Sequence, residues 1–173
     1  MCSAERGRHA SQRAFTLFAL LWSATPALAE VHTHGLGTLQ IVLDGAVLAV
    51  SFTAPTHDLV GFEHSPRNAA EAKALDDTLA RLRRPDAVIA TPLRAQCESI
   101  EVQRMDAGAA HAEHADLVFD YRYRCAAPDA LDALTVTAFA NFRTLARLRV
   151  QLLGADGARE FELGADEPHL PLR

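Results

Sequence analysis

The sequence predicts a mainly β (α+β) fold, in which an antiparallel, sandwich-like sheet packs with one helix of about four turns. Three observations support this fold class. Short apolar segments with alternating polar residues recur along the chain, one longer segment has apolar residues at helical spacing, and turn-forming Asp-Gly and Pro residues separate them. No segment rich in Gly, Ser or Pro divides residues 30–173, so we expect a single domain there.

A β-hairpin is predicted at the start of this domain. Residues 36–43 and 47–53 are apolar-rich, and the first segment clearly alternates between apolar and polar side chains. The two segments meet at Asp44-Gly45, a dipeptide favoured in tight hairpin turns. Pro55 ends the second strand, and residues 56–65 are predicted to form a loop.

One helix is predicted after this loop. Pro66 opens the helical segment and Pro85 terminates it. Its apolar residues recur at helical spacing: Ala69, Ala72, Leu75, Leu79 and Leu82. We therefore expect one face of this helix to back the sheet.

The second half of the chain contains the remaining strand candidates. Residues 96–105 and 116–125 both alternate, so we expect them to pair and to bring Cys97 close to Cys125. In the first of these strands, the face that carries Ile100 is predicted to be buried at its centre. Further candidates are residues 134–142, 148–153 and 159–163.

The first 29 residues have the composition of a cleaved secretory signal peptide. Three arginines come first: Arg6, Arg8 and Arg13. An apolar segment at 14–22 follows, and Ala27-Leu28-Ala29 precedes a cleavage site that leaves Glu30 at the mature amino terminus. The apolar segment is too short to span a bilayer, which argues against the alternative of a retained anchor. We expect a periplasmic protein without stable membrane insertion.

The mature chain is acidic. The leader contains three of the 17 Lys and Arg residues and one of the 22 Asp and Glu residues, which leaves 14 basic against 21 acidic residues. An acidic surface repels phosphate backbones and attracts cations, so nucleic acid is not an expected partner.

Two cysteines remain after the leader, Cys97 and Cys125. An even number in an oxidising compartment favours one disulfide bond, with a stabilisation of about 3 to 4 kcal/mol from the loop that it closes. The alternative is a pair of thiolate metal ligands. It is weakened because the two residues are far apart in sequence and neither belongs to a Cys-x-x-Cys motif.

Histidine and carboxylate residues form clusters along the mature chain. Imidazole and carboxylate together, without thiolate, suit Zn²⁺ or another borderline transition ion. We interpret nine of these residues as candidate metal ligands: His32, His34, His57, Asp58, Glu63, His64, His111, Glu113 and His114.

Each cluster also has a structural interpretation. In an extended segment, His32 and His34 project from the same face about 7 Å apart, but they can equally be solvated side chains of a terminus. In the cluster at 57–64, Asp58 can cap a turn while the Glu63-His64 pair starts the helix. The cluster at 111–116 can be the solvated tip of a hairpin.

Several short motifs together resemble the ZrgA-type periplasmic zinc-binding protein family. They are His-x-His-Gly at 32–35, Gly-Phe-Glu-His at 61–64, and the Cys97 and Cys125 pair followed by Ala-Ala-Pro at 126–128. The resemblance implies a mainly β fold. It also implies an accessory role in bacterial zinc uptake or homeostasis, in which the protein captures Zn²⁺ and hands it to an inner-membrane metal uptake transporter.

The chain departs from this family between the two cysteines. Members usually carry a long tract of His, Asp and Glu there, whereas this chain has only residues 111–116. Fewer ligands hold fewer ions, so transfer or sensing is a better expectation than storage.

Other functions are also considered. Cleavage after Ala29 leaves Glu30-Val31-His32 at a free amino terminus, a sequence that suits square-planar Cu²⁺ or Ni²⁺. A metal-free extracytoplasmic binding module is a further alternative. We do not expect an enzyme, because the sequence has no His-Glu-x-x-His helix, no Gly-x-Ser-x-Gly elbow and no phosphate-binding glycine loop.

Overall fold

The computed structural model describes residues 35–105 and 116–173. These residues form nine strands: β1 (Leu36–Asp44), β2 (Val47–Pro55), β3 (Ile89–Ala90), β4 (Cys97–Met105), β5 (Asp116–Cys125), β6 (Ala133–Val136), β7 (Arg147–Gly154), β8 (Gly157–Gly164) and β9 (His169–Pro171). They also form three α-helices: α1 (Thr56–Val60), α2 (Ala69–Leu82) and α3 (Ala138–Asn141). Two short 3₁₀ turns lie at Leu93–Ala95 and Pro128–Ala130. The predicted mainly β fold is confirmed.

The strands form two sheets. The larger sheet has six strands in the order β4-β5-β2-β1-β7-β8, and the smaller sheet has three in the order β3-β6-β9. Neighbouring strands are antiparallel except for β1 and β7, which run parallel in the centre of the larger sheet. The larger sheet is therefore mixed. Between β5 and β7 the chain leaves this sheet to form β6 and α3, and it then returns beside β1.

The predicted hairpin is confirmed in β1 and β2. Asp44 pairs with Val47 at its closed end, where Gly45 has a positive φ of 55°. Burial alternates along both strands, so that Leu39 and Phe52 are fully buried on one face. This face forms one continuous core with α2, α3 and the smaller sheet.

Helix α2 has a defined beginning. The side chain of Asn68 caps it by accepting from the N–H of Glu71 at 2.9 Å, and Glu71 Oε2 accepts from the N–H of Arg67 at 2.7 Å. The first bond satisfies a donor that the first turn of a helix leaves unpaired, and the second holds the residue that precedes the cap. At the other end, Leu79 and Leu82 are buried against the sheet.

Two tyrosines of β5 hold the chain at the end of α2. The hydroxyl of Tyr121 donates to the carbonyl oxygen of Leu82 at 2.7 Å, and the hydroxyl of Tyr123 donates to the carbonyl oxygen of Pro85. Burial raises the pKa of both phenols well above the ordinary value. The helix is thus bound to the sheet by buried polar contacts as well as by apolar packing.

The predicted disulfide bond joins Cys97, at the start of β4, to Cys125, at the end of β5. The two residues are direct partners in the antiparallel register of the strands. The bond therefore closes the open end of this hairpin. It also excludes the alternative of two thiolate metal ligands, because both sulfurs are bonded to each other.

Two predicted elements differ in the structure. The strand expected over 134–142 ends at Val136, and α3 follows, because Phe139 and Phe142 both face the core. Residues three apart lie on the same side of a helix but on opposite sides of a strand. The loop expected over 56–65 contains α1 in its first half, where Leu59 is buried against the core.

The predicted burial of Ile100 is wrong. A β-bulge between Ser99 and Glu101 interrupts the pairing of β4 with β5, and the side chain of Ile100 is 49% exposed. The strand also lies at the edge of the larger sheet, where neighbours cover it on one side only. Alternation in the sequence does not reveal a bulge, which moves the following residues to the other face.

The two buried phenols make the free energy of unfolding depend on pH in the alkaline range. Because the pKa of Tyr121 and Tyr123 is raised, the folded protein keeps both protons at a pH where the unfolded chain loses them. This stabilisation is complete below about pH 10 and declines above it by up to about 1.4 kcal/mol per pH unit for each tyrosine. We expect urea denaturation from about pH 8 to 11.5 to show the decline.

The variant Tyr121→Phe provides the control. At about pH 8 it lowers the free energy of unfolding by about 1 kcal/mol, because the carbonyl oxygen of Leu82 loses its donor. At alkaline pH its stability falls less steeply than that of the wild-type protein, since one titrating group is gone. An equal slope for both proteins would contradict this assignment.

Candidate metal site

Helix α1 places the first described histidine of the predicted site. The helix begins at Thr56, directly after Pro55 ends β2, and Gly61 ends it. Gly61 has a positive φ of 98°, and its N–H donates to the carbonyl oxygen of His57 at 2.8 Å. Glycine adopts this left-handed conformation at little cost because it has no Cβ. The turn therefore fixes the exit of the chain from α1.

Asp58 is buried beside this histidine, with only 1% of its side chain exposed. Its Oδ2 accepts from the N–H of Gly35 at 2.6 Å, and its Oδ1 lies 3.5 Å from Nδ1 of His57. A buried carboxylate requires donors to replace the water that it loses. The two contacts supply donors from the adjacent residue His57 and from Gly35, which is 23 residues away from Asp58 in the sequence.

Gly35 connects this carboxylate to the larger sheet. Its carbonyl oxygen accepts from the N–H groups of Ala146 and Arg147, at the start of β7, while its own N–H is held by Asp58. Gly35 also has a positive φ of 77°. The beginning of β1 is therefore tied both to the neighbouring strand β7 and to α1.

The ring of His57 faces Asp58 with one nitrogen, and 41% of its side chain is exposed. A carboxylate opposite Nδ1 favours the tautomer with the proton on Nδ1. The lone pair of the neutral ring is then on Nε2, the arrangement that metal-ligating histidines commonly have.

His64 lies at the beginning of the segment that leads into α2. Its Nδ1 donates to the carbonyl oxygen of Ser65 at 3.0 Å and lies 3.7 Å from Oε2 of Glu71. Its ring stacks on Phe62 with 5.1 Å between centroids. Because a carbonyl oxygen can only accept, the neutral ring carries its proton on Nδ1 and its lone pair on Nε2. His64 thus lies beside Glu71, whose side chain takes part in capping α2.

The described residues do not form a complete metal site by themselves. Within residues 35–105 and 116–173, no three or more His, Cys, Asp or Glu side chains are grouped so that they could hold one ion. The structure brings His57 to Asp58 and His64 to Glu71 as separate pairs. Glu63 is half-buried in the bend between α1 and α2.

The other predicted ligands lie outside the described residues. These are His32 and His34 in the first cluster, and His111, Glu113 and His114 in the third. The predicted leader and the Glu30-Val31-His32 sequence of the copper or nickel alternative also lie outside them.

Sequence reasoning missed two contacts of this region. Glu71 pairs with His64 and completes the helix cap, and the pattern Asn68-x-x-Glu71 is a recognisable capping signature. Gly35 is the principal partner of Asp58, and no local pattern predicts a bond between residues so far apart in sequence.

Comparison with known families gives one match. The model of a family described as ZrgA family zinc uptake protein matches residues 31–172. No curated protein matches the chain significantly. In the part of the chain that the structure describes, no helix combines the length and the apolar character needed to cross a membrane.

The positive φ at Gly61 predicts the effect of a substitution there. Gly61→Ala meets open space but forces a Cβ into the left-handed region, so we expect a loss of about 1 to 2 kcal/mol in the free energy of unfolding. Gly154→Ala is the matched control, because Gly154 also faces open space and has no positive φ. If Gly61→Ala and Gly154→Ala had the same free energy of unfolding in urea denaturation, a side chain at position 61 would not strain the turn.

Proposed function

The chain belongs to the ZrgA family of zinc uptake proteins, and from this premise we propose that it is a periplasmic zinc-binding accessory of zinc uptake. In this proposal the protein captures Zn²⁺ with imidazole nitrogens and hands it to an inner-membrane uptake transporter. The zinc ion is cargo, so the site has to release it as well as bind it.

The observation that carries the proposal is the arrangement of His57, Asp58 and Gly35. His57 exposes its ring in front of a buried carboxylate, an arrangement common behind zinc-ligating histidines. The same carboxylate binds the N–H of Gly35, the residue that follows His34.

We propose His32, His34 and His57 as the zinc ligands. Three imidazoles satisfy the preference of Zn²⁺ for nitrogen and leave one position of a tetrahedral site open. A receiving protein can enter through this open position, which fits transfer better than storage. His64 is proposed as an accessory ligand, since its lone pair on Nε2 remains suited to a metal.

The cluster of His111, Glu113 and His114 is proposed as a second, weaker group of ligands. Its support is the residue types alone, which suit a borderline divalent ion. The cluster lies between the bonded cysteines, where other members of the family are expected to carry a longer tract of the same residues. In the proposed order, this cluster first captures Zn²⁺ and then passes it to the three histidines.

The periplasmic location is supported by three features. The family match begins at residue 31, one position after the proposed mature terminus at Glu30. The preceding residues have the composition of a cleavable leader. The disulfide bond between Cys97 and Cys125 fits an oxidising compartment. Membership of a zinc uptake family supports a binding role, and we propose no catalytic activity.

Zinc affinity of the exported protein tests the ligand assignment. We expect the affinity, measured by competition with a chromophoric chelator, to fall at least about 100-fold in His57→Ala and in the His32→Ala/His34→Ala double variant, since each removes a ligand. His64→Ala should have a smaller effect.

The control is His169→Ala. His169 is exposed in β9 of the smaller sheet, where it contacts Thr135. It is also far from the proposed ligands in sequence. Its replacement should leave zinc affinity within about twofold of the wild-type value, as for independent sites. Unchanged affinity in the His57 and His32/His34 variants would reject the assignment.

A further inference from the structure

Among the described residues, Asp58 is the one carboxylate that is fully buried. A charge withdrawn from water is costly unless donors inside the protein replace the hydration. The N–H of Gly35 is the close donor at 2.6 Å, and the ring nitrogen of His57 is a longer contact at 3.5 Å. Both oxygens of the carboxylate are therefore directed at groups of the protein.

His57 and Asp58 differ clearly in their exposure to solvent. The side chain of His57 is 41% exposed, whereas that of Asp58 is 1% exposed. An ion arriving from solvent meets the imidazole first, and the carboxylate lies behind it. A carboxylate in that position orients the ring without touching the metal.

We propose that Asp58 is a positioning residue of the zinc site and not one of its ligands, a proposal that rests on the zinc-binding function proposed above. One oxygen orients the imidazole of His57 through Nδ1. The other holds the peptide group between His34 and Gly35. A single buried side chain thus connects Gly35, which directly follows the His-x-His motif in the sequence, to His57 on α1.

The substitution Asp58→Asn isolates this double role. Asparagine has nearly the same shape but offers one acceptor oxygen, and its NH₂ group faces one of the two donors instead. Either Gly35 or His57 therefore loses its acceptor. We expect zinc affinity to fall by about 10- to 100-fold, the usual effect of removing a residue that supports a metal ligand.

The metal-free protein gives a readout that ligation alone would not change. In the exported wild-type protein at about pH 8, above the range in which histidine ordinarily titrates, ¹⁵N NMR should find the His57 proton on Nδ1. In Asp58→Asn the ring should shift toward the other tautomer, or the Gly35 amide should exchange faster with solvent. Asp156→Asn, at the exposed turn between β7 and β8, should change neither signal.

A double-variant comparison tests whether Asp58 acts through His57. Zinc affinity is measured for Asp58→Asn in the wild-type background and in the His57→Ala background. If part of the effect passes through the His57 ring, the loss in the second background should be at least about threefold smaller than in the first. Asp156→Asn should leave zinc affinity unchanged in both.

Three outcomes overturn the proposal. The first is a wild-type His57 ring with its proton on Nε2, a result that needs no variant and decides the matter even if Asp58→Asn fails to fold. The second is an unchanged zinc affinity in Asp58→Asn. The third is an equal loss in both backgrounds with unchanged metal-free spectra, which would make Asp58 an ordinary ligand. Absence of zinc binding by the wild-type protein would instead reject the proposed function itself, and the positioning role with it.

Discussion

The six-stranded sheet buries one face in the core, and the other described elements are placed to cover that face. Large side chains such as Phe52, Phe119 and Tyr121 line it, and α2, α3 and the smaller sheet pack against them. The burial of apolar surface is the main source of stability in such a layered fold. Because α1 joins the end of β2 to the layer that covers the sheet, His57 lies on a segment with both ends anchored.

The proposed zinc site is located where several of these constraints meet. Gly35 directly precedes β1, contacts the start of β7 through its carbonyl oxygen and contacts Asp58 through its N–H. The site is thus connected to the centre of the sheet, and not to one of its edges. A ligand held by covalent and hydrogen-bonded connections of this kind loses little freedom when the ion binds, which favours affinity for a small number of ligands.

The parts of the fold that local signals encode could be predicted from the sequence. The Asp44-Gly45 turn defined the first hairpin, and the spacing of Leu75, Leu79 and Leu82 defined α2. The parallel pairing of β1 with β7 and the bulge before Glu101 have no such local signal. The same limit applies to the site: residue types indicated His57 and Asp58 as candidates, but the different roles that we propose for them rest on exposure and on the distant Gly35, which only the folded chain provides.

The irregularity of β4 affects how molecules of this protein meet one another. A regular outer strand presents unpaired N–H and C=O groups on which a neighbouring molecule can add its own strand. Of the described strands, β4 and β8 are the outer ones of the larger sheet. The bulge between Ser99 and Glu101 disrupts this array in β4, and β8 carries charged side chains, Arg159, Glu160 and Glu162. Both outer strands therefore discourage aggregation by edge-to-edge association between molecules of this protein.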